Sequence, residues 1–139
     1  MPSVHFVVRG GLFVSCQDKN PARRRRAQAL IAAAGREAMA AAGHSLFLDR
    51  VQVSATLFYL VLRPDPANVQ KDILDALEGV VYANDRQVHA PITRAFNLSE
   101  VERVEDDPGG VNDELDFRRP FLHIYVTTEV DWTTAVVTK

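Results

Sequence analysis

Cysteine is nearly missing from this chain. Cys16 stands alone, which excludes an intrachain disulfide and a cysteine-based zinc cluster and suits a reducing cytoplasm. A strong basic excess is missing as well: the formal net charge is −2, so the uniformly basic surface that most simply marks a nucleic-acid binder is not there. No apolar run approaches a membrane span, and the first six residues carry no basic leader, so neither a membrane segment nor a secretory signal is expected. Glycine-rich phosphate loops, H-E-x-x-H pairs and internal repeats are lacking too, which removes the P-loop, kinase and zinc-protease readings.

What remains is an ordinary globular composition over 139 residues, read as one domain, 1–139, long enough to bury a core. Its charge is unevenly spread. Residues 1–50 carry 8 Lys and Arg against 3 Asp and Glu, and residues 51–139 carry 8 against 15. A basic front and an acidic remainder are compatible with a DNA groove, because binding depends on the local patch.

Residues 4–9 are β-rich, and Gly10-Gly11 breaks or bulges them before residues 12–15 resume. Asn20 is placed to cap a helix with Pro21 at its first position, and good helix formers then continue to Ala42, where Gly43 stops them. Arg23, Arg24, Arg25 and Arg26 occupy the first turn of that helix, where four cations oppose the helix dipole and one another. They form either a phosphate-contacting cluster or a solvated basic face. The Ala-rich body of the helix suits close packing, and His44 suits a helix-end cation or a solvent contact.

Residues 51–62 are the strongest strand signal, an alternation that becomes a continuous apolar run, and are expected at the centre of a sheet. Their end delivers Arg63 and Asp65. Pro64 and Pro66 stiffen the entry to a second helix, with Asp65 just before it, where a carboxylate favours the positive end of the dipole. At 100° per residue Val69, Ile73, Ala76, Leu77 and Val80 fall on one side, and Asn68, Lys71, Asp72 and Asp75 on the other. Gly79 can end the helix, and residues 80–83 then read as a short buried turn or strand end that delivers Asn84 and Asp85. A return loop of this length is expected to bring Asp85 to the same cleft as Asp65. Two carboxylates beside an Asn and a Lys suit magnesium-dependent phosphodiester cleavage, since the hard cation takes oxygen ligands and a lysine stabilises negative charge. Asp72 and Glu78 read as a solvated face.

Further strands are expected at residues 88–96 and 121–128. Between them residues 99–116 are acidic and contain Pro108-Gly109-Gly110, which reads as a mobile hairpin connection or excursion. Its Glu102, Glu105, Asp106, Asp107, Asp113, Glu114 and Asp116 do not fit a calcium loop and read as solvated. His123 reads as structural or solvent-facing. Residues 131–139 read as a tail, ordered in part at Trp132.

Residues 63–88, R-P-D-P-A-N-V-Q-K-D-I-L-D-A-L-E-G-V-V-Y-A-N-D-R-Q-V, resemble the signature of RusA-type Holliday-junction resolvases, a family of endodeoxyribonucleases often carried by phages and prophages. The pattern runs D-x-D-N, a lysine, D-A-L and then D-D-x-Q-V. Asp65, Asn68, Lys71, Asp75-Ala76-Leu77, Asn84-Asp85 and Gln87-Val88 follow it in order. Two positions depart: Ala67 and Asn84 stand where the pattern carries aspartates. The resemblance implies an α+β fold, a small mixed sheet with two main helices on one face in the order β-α-β-α-β-β. It implies a homodimer that cuts branched DNA with Mg²⁺, Mn²⁺ being a substitute, leaving a 5′ phosphate and a 3′ hydroxyl. No organic cofactor and no membrane enter this reading. Asp65 and Asp85 would hold the metal, Lys71 would stabilise charge, Asn68 and Asp75 would support the site, and Arg23 to Arg26 with Arg63 would bind phosphates. The alanine at position 67 leaves a second reading, a junction-binding dimer whose metal site is weakened.

Overall fold

The computed structural model describes residues 2–10, 21–61, 63–107 and 109–128. In chain order they form β1 (Ser3–Arg9), α1 (Pro21–Ala42), β2 (Val51–Tyr59), α2 (Pro66–Leu77), β3 (Val88–Asn97), α3 (Val111–Asp116) and β4 (Phe121–Thr127), with 3₁₀ turns at Asp85–Gln87 and Leu98–Glu100. The expectations for residues 12–15, Cys16, Asn20 and Trp132 lie outside the described residues. The α+β class with a small mixed sheet and two main helices is as expected.

The four strands lie in the order β1-β4-β2-β3. β2 and β3 are parallel, and β4 runs antiparallel between β1 and β2. Residues 99–116 are therefore not a hairpin connection: β3 lies at the sheet edge beyond β2, and the chain crosses back to insert β4 on the other side of β2. The physical reason is in β4 itself. Phe121, Leu122, His123, Ile124 and Val126 are all buried, on both faces, and an edge position would leave part of that surface in water. β2 is interior as expected, and it ends at Tyr59 rather than at residue 62.

One face of the sheet makes the main core. Val4, Phe6 and Val8 of β1, Val53, Ala55 and Leu57 of β2, and Leu122, Ile124 and Val126 of β4 meet Ile31 and Met39 of α1 and Val69, Ile73 and Leu77 of α2. Packing is close at Gly35: a Cβ there would stand 3.1 Å from Val80 Cγ1 and 3.5 Å from Phe6 Cζ. α1 ends where expected, at Gly43, with φ of 70°. His44 is no mere solvent contact, because its Nε2 lies 3.0 Å from the Ser3 carbonyl oxygen.

The opposite face carries a second cluster, Phe58, Leu98, Val111, Leu115 and Phe121, so the segment beyond β3 is folded onto the sheet rather than loose. Two of its acids are not solvated as expected. Asp107 accepts from the backbone nitrogens of Gly109 (2.9 Å), Val111 (3.3 Å) and Asn112 (3.0 Å). Burial alone would raise its pKa, and those backbone donors outweigh that and hold it below the usual value. Glu114 is buried and pairs with Arg9. Glu102, Glu105, Asp106, Asp113 and Asp116 are exposed, as expected. Beside this cluster a cleft of about 690 Å³ opens between the sheet and the segment after Leu98, with Thr56, Arg94, Phe96 and His123 in its lining.

Candidate functional site

α2 is built by the devices the sequence shows. Asp65 is its N-cap, in extended backbone, and its Oδ1 accepts from the Ala67 nitrogen at 3.0 Å, satisfying one of the helix's orphan donors. Pro66 takes the first helical position, where no donor is required. Val69, Ile73, Ala76 and Leu77 are buried. Asn68, Lys71 and Asp75 are exposed, and with Asp65 they form one polar stripe along the helix. Arg63, also exposed, precedes the cap.

Asp72 departs from the solvated reading. Its Oδ1 accepts from Arg24 Nη2 at 2.8 Å and from Gln28 Nε2 at 3.2 Å, tying the start of α1 across to α2. The Arg24 guanidinium is held charged first by that hydrogen bond and then by the charge of Asp72, with a smaller part from Asp75. Arg24, of the four first-turn arginines, is thus tied to α2 within the protein. Arg23, Arg25 and Arg26 are exposed on the same turn.

Asp85 opens the 3₁₀ turn after α2, capped by Asn84, whose side chain accepts from the Arg86 nitrogen at 2.9 Å. Of residues 80–83, Val80, Val81 and Tyr82 are buried as expected, and Ala83 is exposed. The Tyr82 hydroxyl donates to the Leu74 carbonyl at 2.5 Å. Burial, then the charges of Glu78, Asp85 and Asp75, raise its pKa and keep it protonated. Asp75, Glu78 and Asp85 therefore share one neighbourhood at the C-terminal end of α2.

Asp65 does not belong to it. β2 and β3 are parallel, with Val51 beside Val88 and Tyr59 beside Asn97, so the crossover helix α2 runs back along the sheet. Asp65 lies beyond the Tyr59 end and Asp85 just before the Val88 end. Twelve helical residues separate them, about 18 Å of rise. The expectation that one cleft gathers both carboxylates is corrected, and the reason is the parallel pairing, which no local pattern discloses. Among the described residues no group of three or more His, Cys, Asp or Glu is placed to hold a metal ion. Within one chain Asp65 and Asp85 therefore do not together make a two-carboxylate magnesium site.

Gln87 is the residue that the sequence left without a role. Its Oε1 accepts from the Asn84 nitrogen at 2.8 Å, and its Nε2 donates to the carbonyls of Phe47 (2.8 Å) and Asp49 (2.9 Å). The spacing Asn84-x-x-Gln87 is a capping box and was readable as one. Its second function, bridging to the loop before β2, was not.

No curated protein matches the chain. A family model, endodeoxyribonuclease RusA, matches residues 17–105, a span that contains α1, β2, α2 and β3 with every candidate residue named above. That match extends over well more than half of the 139 residues, and the chain belongs to the RusA endodeoxyribonuclease family.

Proposed function

We propose that this protein is a magnesium-dependent endodeoxyribonuclease that resolves Holliday junctions or related branched DNA in recombination and repair, that it works as a homodimer in the cytoplasm, and that it is of phage or prophage origin. The observation that carries the reading is the polar stripe Asp65, Asn68, Lys71 and Asp75 on α2, inside the span matched by the family model. It starts just beyond a buried strand, a rigid base for groups that must meet a phosphodiester. Lys71 neutralises charge on the phosphate, and Arg25, Arg26 and Arg63 bind neighbouring phosphates. No helix among the described residues is long and apolar enough to cross a membrane.

The homodimer is part of the chemistry in this reading. Asp65 and Asp85 are separated by the length of α2 in one chain, so a site that needs both takes one from each of two chains, with magnesium, or manganese in its place, as the cation such a carboxylate pair suits. A second reading, a junction-binding dimer without turnover, is favoured by Ala67, which removes a carboxylate from the α2 end of the site.

Cleavage of a synthetic four-way junction with Mg²⁺ decides between them. Wild type is expected to nick paired strands, and Asp65→Asn and Asp85→Asn are each expected to bind without nicking. Mixing the two variants restores one intact site per heterodimer, and single-strand nicking returns; a site held within one chain gives no such recovery. Salt-sensitive binding with no nicks by wild type selects the second reading, and Ala67→Asp is then expected to bring cutting back. No binding at all overturns both.

A further inference from the structure

We propose that Gln87 is a positioning residue for Asp85, and that the loop at residues 47–49 is thereby a structural part of the cleavage site. The inference rests on the reading of Asp85 as a site carboxylate and goes beyond it by naming what aims it.

Asp85 is exposed, so its direction is set by the backbone that carries it. That backbone is a single 3₁₀ turn of three residues, closed by Gln87 N–H to Asn84 O at 3.0 Å. A turn this short has little cooperative stability of its own, so its orientation has to be imposed from outside.

Gln87 supplies the constraint through three backbone groups at once. Its oxygen accepts from Asn84, the residue before Asp85, and its amide nitrogen uses both protons, on the carbonyls of Phe47 and Asp49. The orientation of the amide is unambiguous, because a backbone N–H needs the oxygen and two carbonyls need the nitrogen. The loop it grips is itself anchored: Phe47 is 6% exposed, and its N–H donates to the Val81 carbonyl at 2.8 Å. A continuous strut therefore runs from the core at Phe47, through the Gln87 amide, to the backbone beside Asp85. Glutamate at this position keeps the acceptor and sets a second oxygen against two carbonyls; methionine fills the space and makes none of the three bonds.

The test measures two things on Gln87→Met and Gln87→Glu. In hydrogen exchange, the Asn84 amide is expected to lose protection in Gln87→Met and to keep it in Gln87→Glu, with the protection of α2 unchanged in both. In junction cleavage, kcat is expected to fall roughly 100-fold in both variants, as a displacement of about 1 Å at a reacting group does, while junction affinity stays within about threefold of wild type. A merely structural role predicts the other split, a lowered melting temperature and weakened binding with kcat per folded molecule unchanged, and that result overturns the proposal. So does an Asn84 amide still protected in Gln87→Met. If wild type binds junctions and does not cut them, the nuclease reading fails separately, and the exchange measurement alone decides whether Gln87 holds the Asp85 turn.

Discussion

Arg9, at the end of β1, and Glu114, on α3, are 105 residues apart in sequence and joined at 2.7 Å between Arg9 Nε and Glu114 Oε1. The pair is lopsided: the side chain of Glu114 is 8% exposed and that of Arg9 is 69% exposed. The carboxylate is out of water and its partner is still in it, so the bond serves mainly to make the burial of Glu114 tolerable. Arg9→Met leaves that carboxylate without its charged donor and is expected to destabilise the fold by about 1–2 kcal/mol, the exposed guanidinium being discounted for solvent screening. Adding Glu114→Leu to Arg9→Met is expected to recover most of the loss. Thermal melts of the two variants measure both.

Asp72 engages Arg24 within the protein at 2.8 Å. Asp72→Asn removes a negative charge and releases that arginine, so junction affinity is expected to rise and the slope of log K against log salt to steepen by about one phosphate equivalent. Arg25→Gln is expected to lower the slope by a similar amount. Arg24→Gln, which removes a cation already engaged, is expected to change binding least. Titrations over a range of salt concentrations separate the three.

His123 is buried on β4, with its ring centroid 5.9 Å from that of His5. Burial first, and then the charge of His5, push its pKa down to about 4, against a smaller opposing pull from Asp107. The folded protein therefore keeps this imidazole neutral where the unfolded chain binds a proton. The associated stability is fully present above the unfolded value near 6.5 and is lost as pH falls through the folded value near 4. The melting temperature is expected to be level above about pH 6.5 and to decline below it. His123→Phe is expected to flatten that decline between pH 4 and 6.5.

Gly35 lets α1 settle onto α2. Its substitution by valine sets a Cβ against Val80, Leu77 and Phe6 at the spacing described and adds two γ-methyl groups beyond it. Gly35→Val is expected to cost about 1–3 kcal/mol by overpacking, measured by urea denaturation.

The elements were legible wherever the signal was local. A run of good helix formers between Pro21 and Gly43 discloses α1, apolar period discloses α2, and the Asp65 cap follows from two prolines and a carboxylate in three consecutive residues. What the chain does not disclose depends on residues far apart in it. Glu114 looks solvated until Arg9 comes from 105 residues away, and Asp72 looks solvated until α1 is laid beside it. Asp65 and Asp85 look convergent until β3 is seen to pair parallel to β2. The same long-range pairing puts β4 inside the sheet, where hairpin reasoning places it next to β3.

The place of β4 also bears on how the molecule is made. β1 and β2 share no hydrogen bonds; each is joined to β4, the strand that follows all the others in sequence. A ribosome therefore delivers β1 long before its hydrogen-bonded neighbour exists, whereas β2 and β3 can pair, with α2 across them, before β4 is made. Sheet closure waits for residues 121–127 to emerge, a contact of high sequence separation that makes the final step slow. During that interval the apolar edge of β2 is bare, and it is then that a helper or a self-association partner has access to it.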